Sequence, residues 1–124
     1  MVFARLGAVF YGLWGMLHIV AAYKVYALGQ GIEQGMIQGR IYQDAWSLLF
    51  FAIASIVIAI AYNWRNSKSG YWSNLVLVST ADIGFIVTIL VPGYLPLFPS
   101  ALGPTLWLLA LVFSTLAFVK EKTV

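Results

Sequence analysis

Four long apolar stretches, at residues 2–28, 44–63, 71–91 and 101–119, take up most of the 124-residue chain and leave it few ways to fold. About 20 apolar residues suffice to carry a helix across the roughly 30 Å hydrocarbon layer of a bilayer, and a helix satisfies its own backbone polar groups there. The expected fold is therefore an all-α integral membrane protein: a single four-transmembrane-helix bundle with no soluble domain left over. Composition agrees, with 62% hydrophobic and 9% charged residues, where a soluble domain carries about 25% charged.

The breaks between stretches differ in chemistry. Residues 29–40 (GQGIEQGMIQGR) are polar and glycine-rich and read as a mobile loop, although glycines at that spacing could also line a short interfacial helix. Residues 63–70 (NWRNSKSG) form a basic turn, and residues 91–104 (VPGYLPLFPSALGP) carry all four prolines, which reads as an apolar hairpin held out of helix. Asp44 is placed to cap the start of the second stretch. Arg5 before an apolar run and Ala27-Leu28-Gly29 after it imitate a cleavable leader, but the run is longer than such a leader needs and is kept as a span.

Lys and Arg set the expected orientation, because cytoplasmic loops are enriched in them. Arg5, Arg65, Lys68, Lys120 and Lys122 fall on one side and Lys24 and Arg40 on the other, so both termini are expected in the cytoplasm. Tyr62, Trp64, Tyr71 and Trp72 would then line the inner interface, and Tyr23, Tyr26, Tyr42, Trp46 and Tyr94 the outer one. The expected place is a plasma membrane, bacterial or archaeal, and the first partner is the lipid itself. The net charge of +3 is scattered along the chain and makes no basic stripe for nucleic acid. With no cysteine and one histidine, no metal cluster and no cofactor are expected.

Two ionisable residues interrupt the spans, His18 in the first and Asp82 in the third. His18 follows Arg5 by 13 residues and Asp82 follows Tyr71 by 11, which at about 1.5 Å per residue puts each roughly 16 to 20 Å in. Charge at that depth is costly and seeks a partner inside the bundle, so the two are expected to pair. Helical spacing puts Tyr11 and Trp14 on the face of His18, and Ser79 and Phe85 on the face of Asp82. Asp44 would contribute at the outer mouth, and Trp107, two turns into the fourth span, would close the site.

This constellation reads as a ligand-binding site for a small amphipathic or cationic molecule. Low dielectric favours a neutral carboxylic acid and histidine changes charge near neutral pH, so such a pair can trade a proton for a cation. In architecture alone the chain resembles the small multidrug transporters, which have four short spans and one membrane carboxylate and work as dimers. Their carboxylate lies in the first span rather than the third, and their motifs are missing here. DoxX-like bacterial proteins are also short four-span chains. Two other readings stand beside this one: an accessory or assembly subunit of a larger membrane complex, with His18 and Asp82 as structural bolts, and a membrane-embedded isomerase or hydratase acting on a terpenoid or other lipid-like substrate. A homo-oligomer or a membrane-complex partner is expected under the first two. No serine-nucleophile motif or phosphate-binding glycine loop supports the enzyme.

Overall fold

The computed structural model describes residues 1–124 and is all-helical. Its helices are α1 (Val2–Gln30), α2 (Met36–Ala61), α3 (Lys68–Phe85), α4 (Leu97–Ser100) and α5 (Leu102–Lys120). A 3₁₀ turn, Asn63–Arg65, joins α2 to α3, and a π turn, Ile86–Leu90, prolongs α3. By length and composition, α1, α2, α3 with its π turn, and α5 can each cross a membrane. They run up and down in alternation. Helix α1 packs against α2 and α5, and α3 against the same two, so α1 and α3 face each other across the bundle.

Small residues explain how these helices approach so closely. Ala8, Gly15, Ala22 and Gly29 recur every seven residues along the buried side of α1, as do Ala45, Ala52 and Ala59 in α2 and Gly103, Ala110 and Ala117 in α5. A strict seven-residue repeat keeps one narrow seam facing its neighbour. In lipid, where no hydrophobic force gathers helices, close backbone packing supplies much of their attraction. A Cβ on Gly7 would lie 2.9 Å from the Ser114 backbone nitrogen, and one on Gly15 would lie 2.7 Å from the Ala52 carbonyl oxygen. The large residues point outward instead: Val9, Leu13, Met16, Phe50, Ile53, Val57 and Ile60 are all exposed, as a lipid-facing surface requires. Helix α3 departs from the pattern, burying Gly70, Asn74, Val78 and Asp82 at four-residue steps. It contributes Asn74 and Asp82, two of the buried polar side chains.

Helix ends borrow partners from distant parts of the chain, because their terminal backbone groups have none within the helix. At the end that gathers both termini, the Glu121 carboxylate accepts from the Ala4 and Phe3 backbone N–H groups at 2.9 and 3.4 Å and pairs with the Met1 amine at 2.8 Å. Asn66, in left-handed backbone at φ 56°, donates its amide to the Ala117 and Lys122 carbonyls. Arg5 lies over the Trp64 ring at 5.3 Å. At the opposite end, the Gln38 amide donates to the Gly29 and Ile32 carbonyls, both at 3.1 Å, closing the last turn of α1.

Those Gln38 bonds correct one sequence expectation. The glycine-rich connection is not a loop as far as residue 40: α2 already begins at Met36, after Gly35. Tertiary anchoring outweighs the poor helix propensity of Gly39, since Gln38 is tied to α1 and the Tyr42 ring packs where a Gly29 Cβ would lie only 2.8 Å away. Asp44 consequently sits inside α2 and does not cap it. In the proline-rich connection, residues 91–99 are exposed, with Gly93 at φ 81° and a single helical turn at α4.

Candidate functional site

One residue organises the middle of the bundle. Trp14 of α1 is fully buried, and its indole N–H reaches across to donate to Asp82 Oδ2 of α3 at 3.0 Å. Its ring stacks on the His18 imidazole with centroids 3.8 Å apart, and its backbone carbonyl contacts His18 Nδ1 at 2.8 Å, one helical turn on. His18 Nε2 then faces Asp82 Oδ1 at 3.7 Å. The expected His18–Asp82 apposition is present, and Trp14 holds both halves of it.

This geometry dictates where protons sit. A carbonyl oxygen only accepts, so the 2.8 Å contact places a hydrogen on His18 Nδ1, and a neutral imidazole with hydrogen on Nδ1 carries a lone pair on Nε2. That nitrogen lies 3.7 Å from Asp82 Oδ1, too far for a hydrogen bond, and Oδ1 is buried with no donor of its own. With Asp82 ionised and His18 neutral, two acceptors would confront each other in a dry interior, where unpaired polar atoms are expensive. One proton, or one positively charged hydrogen-bond donor, resolves the conflict. The side chains are unequal in access, with 12% of His18 exposed and 1% of Asp82.

No protein-family profile, curated protein or solved structure matches this chain.

The other residues anticipated for the site are distributed as follows. Tyr11 is fully buried and packs with Trp14, Val78, Ala8, Ala59 and Ala110 in the core beneath the pair. Trp107 of α5 donates its indole N–H to Ser79 Oγ at 2.9 Å, one turn before Asp82. It therefore ties α5 to α3 and is only half-buried. Phe85 is half-buried at the junction with the π turn. Asp44 is exposed on α2 and makes no hydrogen bond to any of these residues, so the structure does not bring it to the pair. Gly103 of α5 passes His18 so closely that a Cβ there would lie 3.0 Å from Cε1 and 3.5 Å from Nε2. Two surface grooves lie away from the pair: one of about 550 Å³ between α2 and α3, lined by Phe51, Ile58, Trp72 and Val76, and one of about 240 Å³ between α1 and α2 beside Trp64.

A second polar group, unforeseen in the sequence, lies on the terminal side of the core. Asn74 donates its amide to the Asn63 side chain at 2.7 Å and to the Ser55 carbonyl at 3.2 Å, and Ser55 donates its hydroxyl to the Tyr11 carbonyl at 3.1 Å. Asn74 stands eight residues before Asp82, two helical turns down the same face. That spacing, in a span otherwise of apolar residues and hydroxyls, was the available signal. Between the two polar groups lie Trp14, Val78 and Ala110, an apolar layer that separates them.

Proposed function

We propose that this chain is a small multi-pass membrane protein that binds a small cationic, amphipathic molecule at the His18–Asp82 pair in exchange for a proton, and so carries such a molecule in the membrane. The observation that carries this reading is the buried Asp82 Oδ1, without a donor, set against the lone pair of His18 Nε2. Free protein holds one proton between them. A bound cation replaces it and leaves the local charge unchanged, which avoids the cost of an isolated ion in hydrocarbon.

In this reading the membrane is a plasma membrane, and the five basic residues near the span ends on one face, Arg5, Arg65, Lys68, Lys120 and Lys122, favour cytoplasmic termini. The pair then communicates with the outer side. The π turn beginning four residues after Asp82 and the exposed connection at residues 91–99 supply a yielding segment at that end; such turns frequently accompany functional sites.

The test is a proton count. In weakly buffered detergent solution, wild-type protein should release about one proton per lipophilic cation bound, read with an indicator dye, and Asp82→Asn should neither bind nor release. A panel running from primary amines to tetraphenylphosphonium that leaves wild type unshifted in thermal stability, with no proton released, would overturn the reading.

The groove between α2 and α3 favours a second reading, an accessory subunit whose partner helix lies there. Under it, Asp82→Asn alters stability alone, and the protein purifies only with its partner.

A further inference from the structure

We infer that the cation accepted by this site is a protonated primary or secondary amine and that quaternary cations are rejected, because the two facing atoms, His18 Nε2 and Asp82 Oδ1, both call for N–H donors. The inference rests on the cation-for-proton reading above and specifies its ligand.

The geometry supports it in three ways. First, the two acceptors are 3.7 Å apart, so one nitrogen at ordinary hydrogen-bond lengths of about 2.8 to 2.9 Å reaches both from a position off the line between them. A primary or secondary ammonium offers at least two N–H groups for this; a tertiary one offers one, and a quaternary one offers none. Second, the space around Nε2 is confined, which disfavours a nitrogen carrying three methyl groups. The Trp14 ring covers one face of the imidazole, and the α5 backbone at Gly103 passes so near that even a Cβ would lie 3.5 Å from Nε2. Third, quaternary cations are recognised by open aromatic faces, and the two α1 rings nearest the pair offer none. Trp14 is stacked against His18, and Tyr11 is fully buried.

The exchange balances. The free site carries one proton between Nε2 and Oδ1 and is neutral. An ammonium, R–NH3+, donates two hydrogens, one to each atom, the site's own proton leaves to water, and the occupied site is again neutral. No other titratable group faces the pair. Helix α5 has none before Lys120, α2 carries only the exposed Asp44 within its span beyond Tyr42, and α3 has no other than Lys68 and Tyr71 in its first turn, about three turns or more from Asp82. On α1 the neighbours are Tyr11, beneath the apolar layer, and the exposed Tyr23 and Lys24. Amine binding therefore tightens about tenfold per pH unit, the signature of one released proton, over the range in which the free site is protonated.

The experiment compares decylamine, N-methyldecylamine and decyltrimethylammonium, matched in chain length, by thermal stabilisation of the full chain in non-ionic detergent at pH 6, 7 and 8, with Asp82→Asn as control. The two amines should stabilise wild type, tightening with pH, and should lose their effect in Asp82→Asn. The trimethylated compound should bind roughly tenfold to a hundredfold more weakly, the loss of one to two charge-assisted hydrogen bonds. Equal or tighter binding of decyltrimethylammonium, abolished by Asp82→Asn, would overturn the amine preference while leaving the cation-for-proton reading intact. Failure of all three compounds to stabilise wild type would overturn both.

Discussion

Replacing Trp14 with phenylalanine keeps an aromatic ring in the core but removes the one hydrogen bond that Asp82 receives. Two costs follow. The smaller ring leaves about 40 Å³ unfilled, which at about 24 cal/mol per Å³ comes to about 1 kcal/mol. The lost bond adds more: interhelical hydrogen bonds in bilayers average about 0.6 kcal/mol and reach about 1.7, and leaving a buried polar group unsatisfied costs about 1 to 3 kcal/mol. Because both carboxyl oxygens are then buried without a donor, we expect the upper part of that range, about 2 kcal/mol, for a total near 3 kcal/mol. In an Asp82→Leu background there is no bond to lose, and the same change should cost only about 1 kcal/mol. The assay is unfolding in mixed micelles by titration with sodium dodecyl sulfate, followed by circular dichroism, for the four proteins of the cycle. Equal costs in both backgrounds, within about 0.5 kcal/mol, would show that the indole and the carboxylate are not coupled and would refute the reasoning.

Other outcomes follow from the packing and the helix ends. Gly7→Ala and Gly15→Ala should each destabilise by about 1 to 3 kcal/mol, since the new Cβ meets backbone atoms of α5 and α2. Gly12→Ala, with nothing within 4 Å of its Cβ, should be neutral or stabilise by up to about 1 kcal/mol; the same micelle titration reads all three. The Glu121 carboxyl is held below the usual glutamate range, chiefly by its hydrogen bond from the Met1 amine and further by the Ala4 and Phe3 backbone N–H groups, with desolvation opposing. A lowered folded value means that its contribution is fully present above the unfolded value of about 4.3 and is lost as pH falls through the folded value. Thermal midpoints of wild type and Glu121→Gln should therefore differ by a constant amount between about pH 5 and pH 7 and converge in more acidic solution.

The four spans could be read from hydropathy because lipid imposes one requirement on every span, and His18 and Asp82 stood out because lipid penalises their charge. Comparing their depths from Arg5 and Tyr71 placed them level, and they are 3.7 Å apart. The role of Trp14 was harder to see. Periodicity puts an indole on the right face, but whether its N–H is aimed at a carboxylate depends on the distance between α1 and α3, set by the small-residue seams of α2 and α5. The start of α2 was misjudged for a related reason: Gly35 and Gly39 suggest a loop locally, and the anchoring of Gln38 and Tyr42 on α1 is a long-range contact. Asp44 loses its expected capping role with it. The π turn after Phe85 has no local signature, since nothing in Ile86–Leu90 distinguishes it from ordinary helix.

The central claim concerns a single proton, and the chain's single histidine makes it directly observable. Nitrogen-15 NMR of protein labelled only in histidine, in detergent micelles near neutral pH, reports the two ring nitrogens of His18 alone. The account predicts a hydrogen on Nδ1 and an unprotonated Nε2 facing the Asp82 carboxyl at 3.7 Å, with the Nε2 signal changing in Asp82→Asn. A neutral imidazole with its hydrogen on Nε2, indifferent to Asp82→Asn, would contradict it, because the two atoms would then be an ordinary donor and acceptor with no proton to exchange.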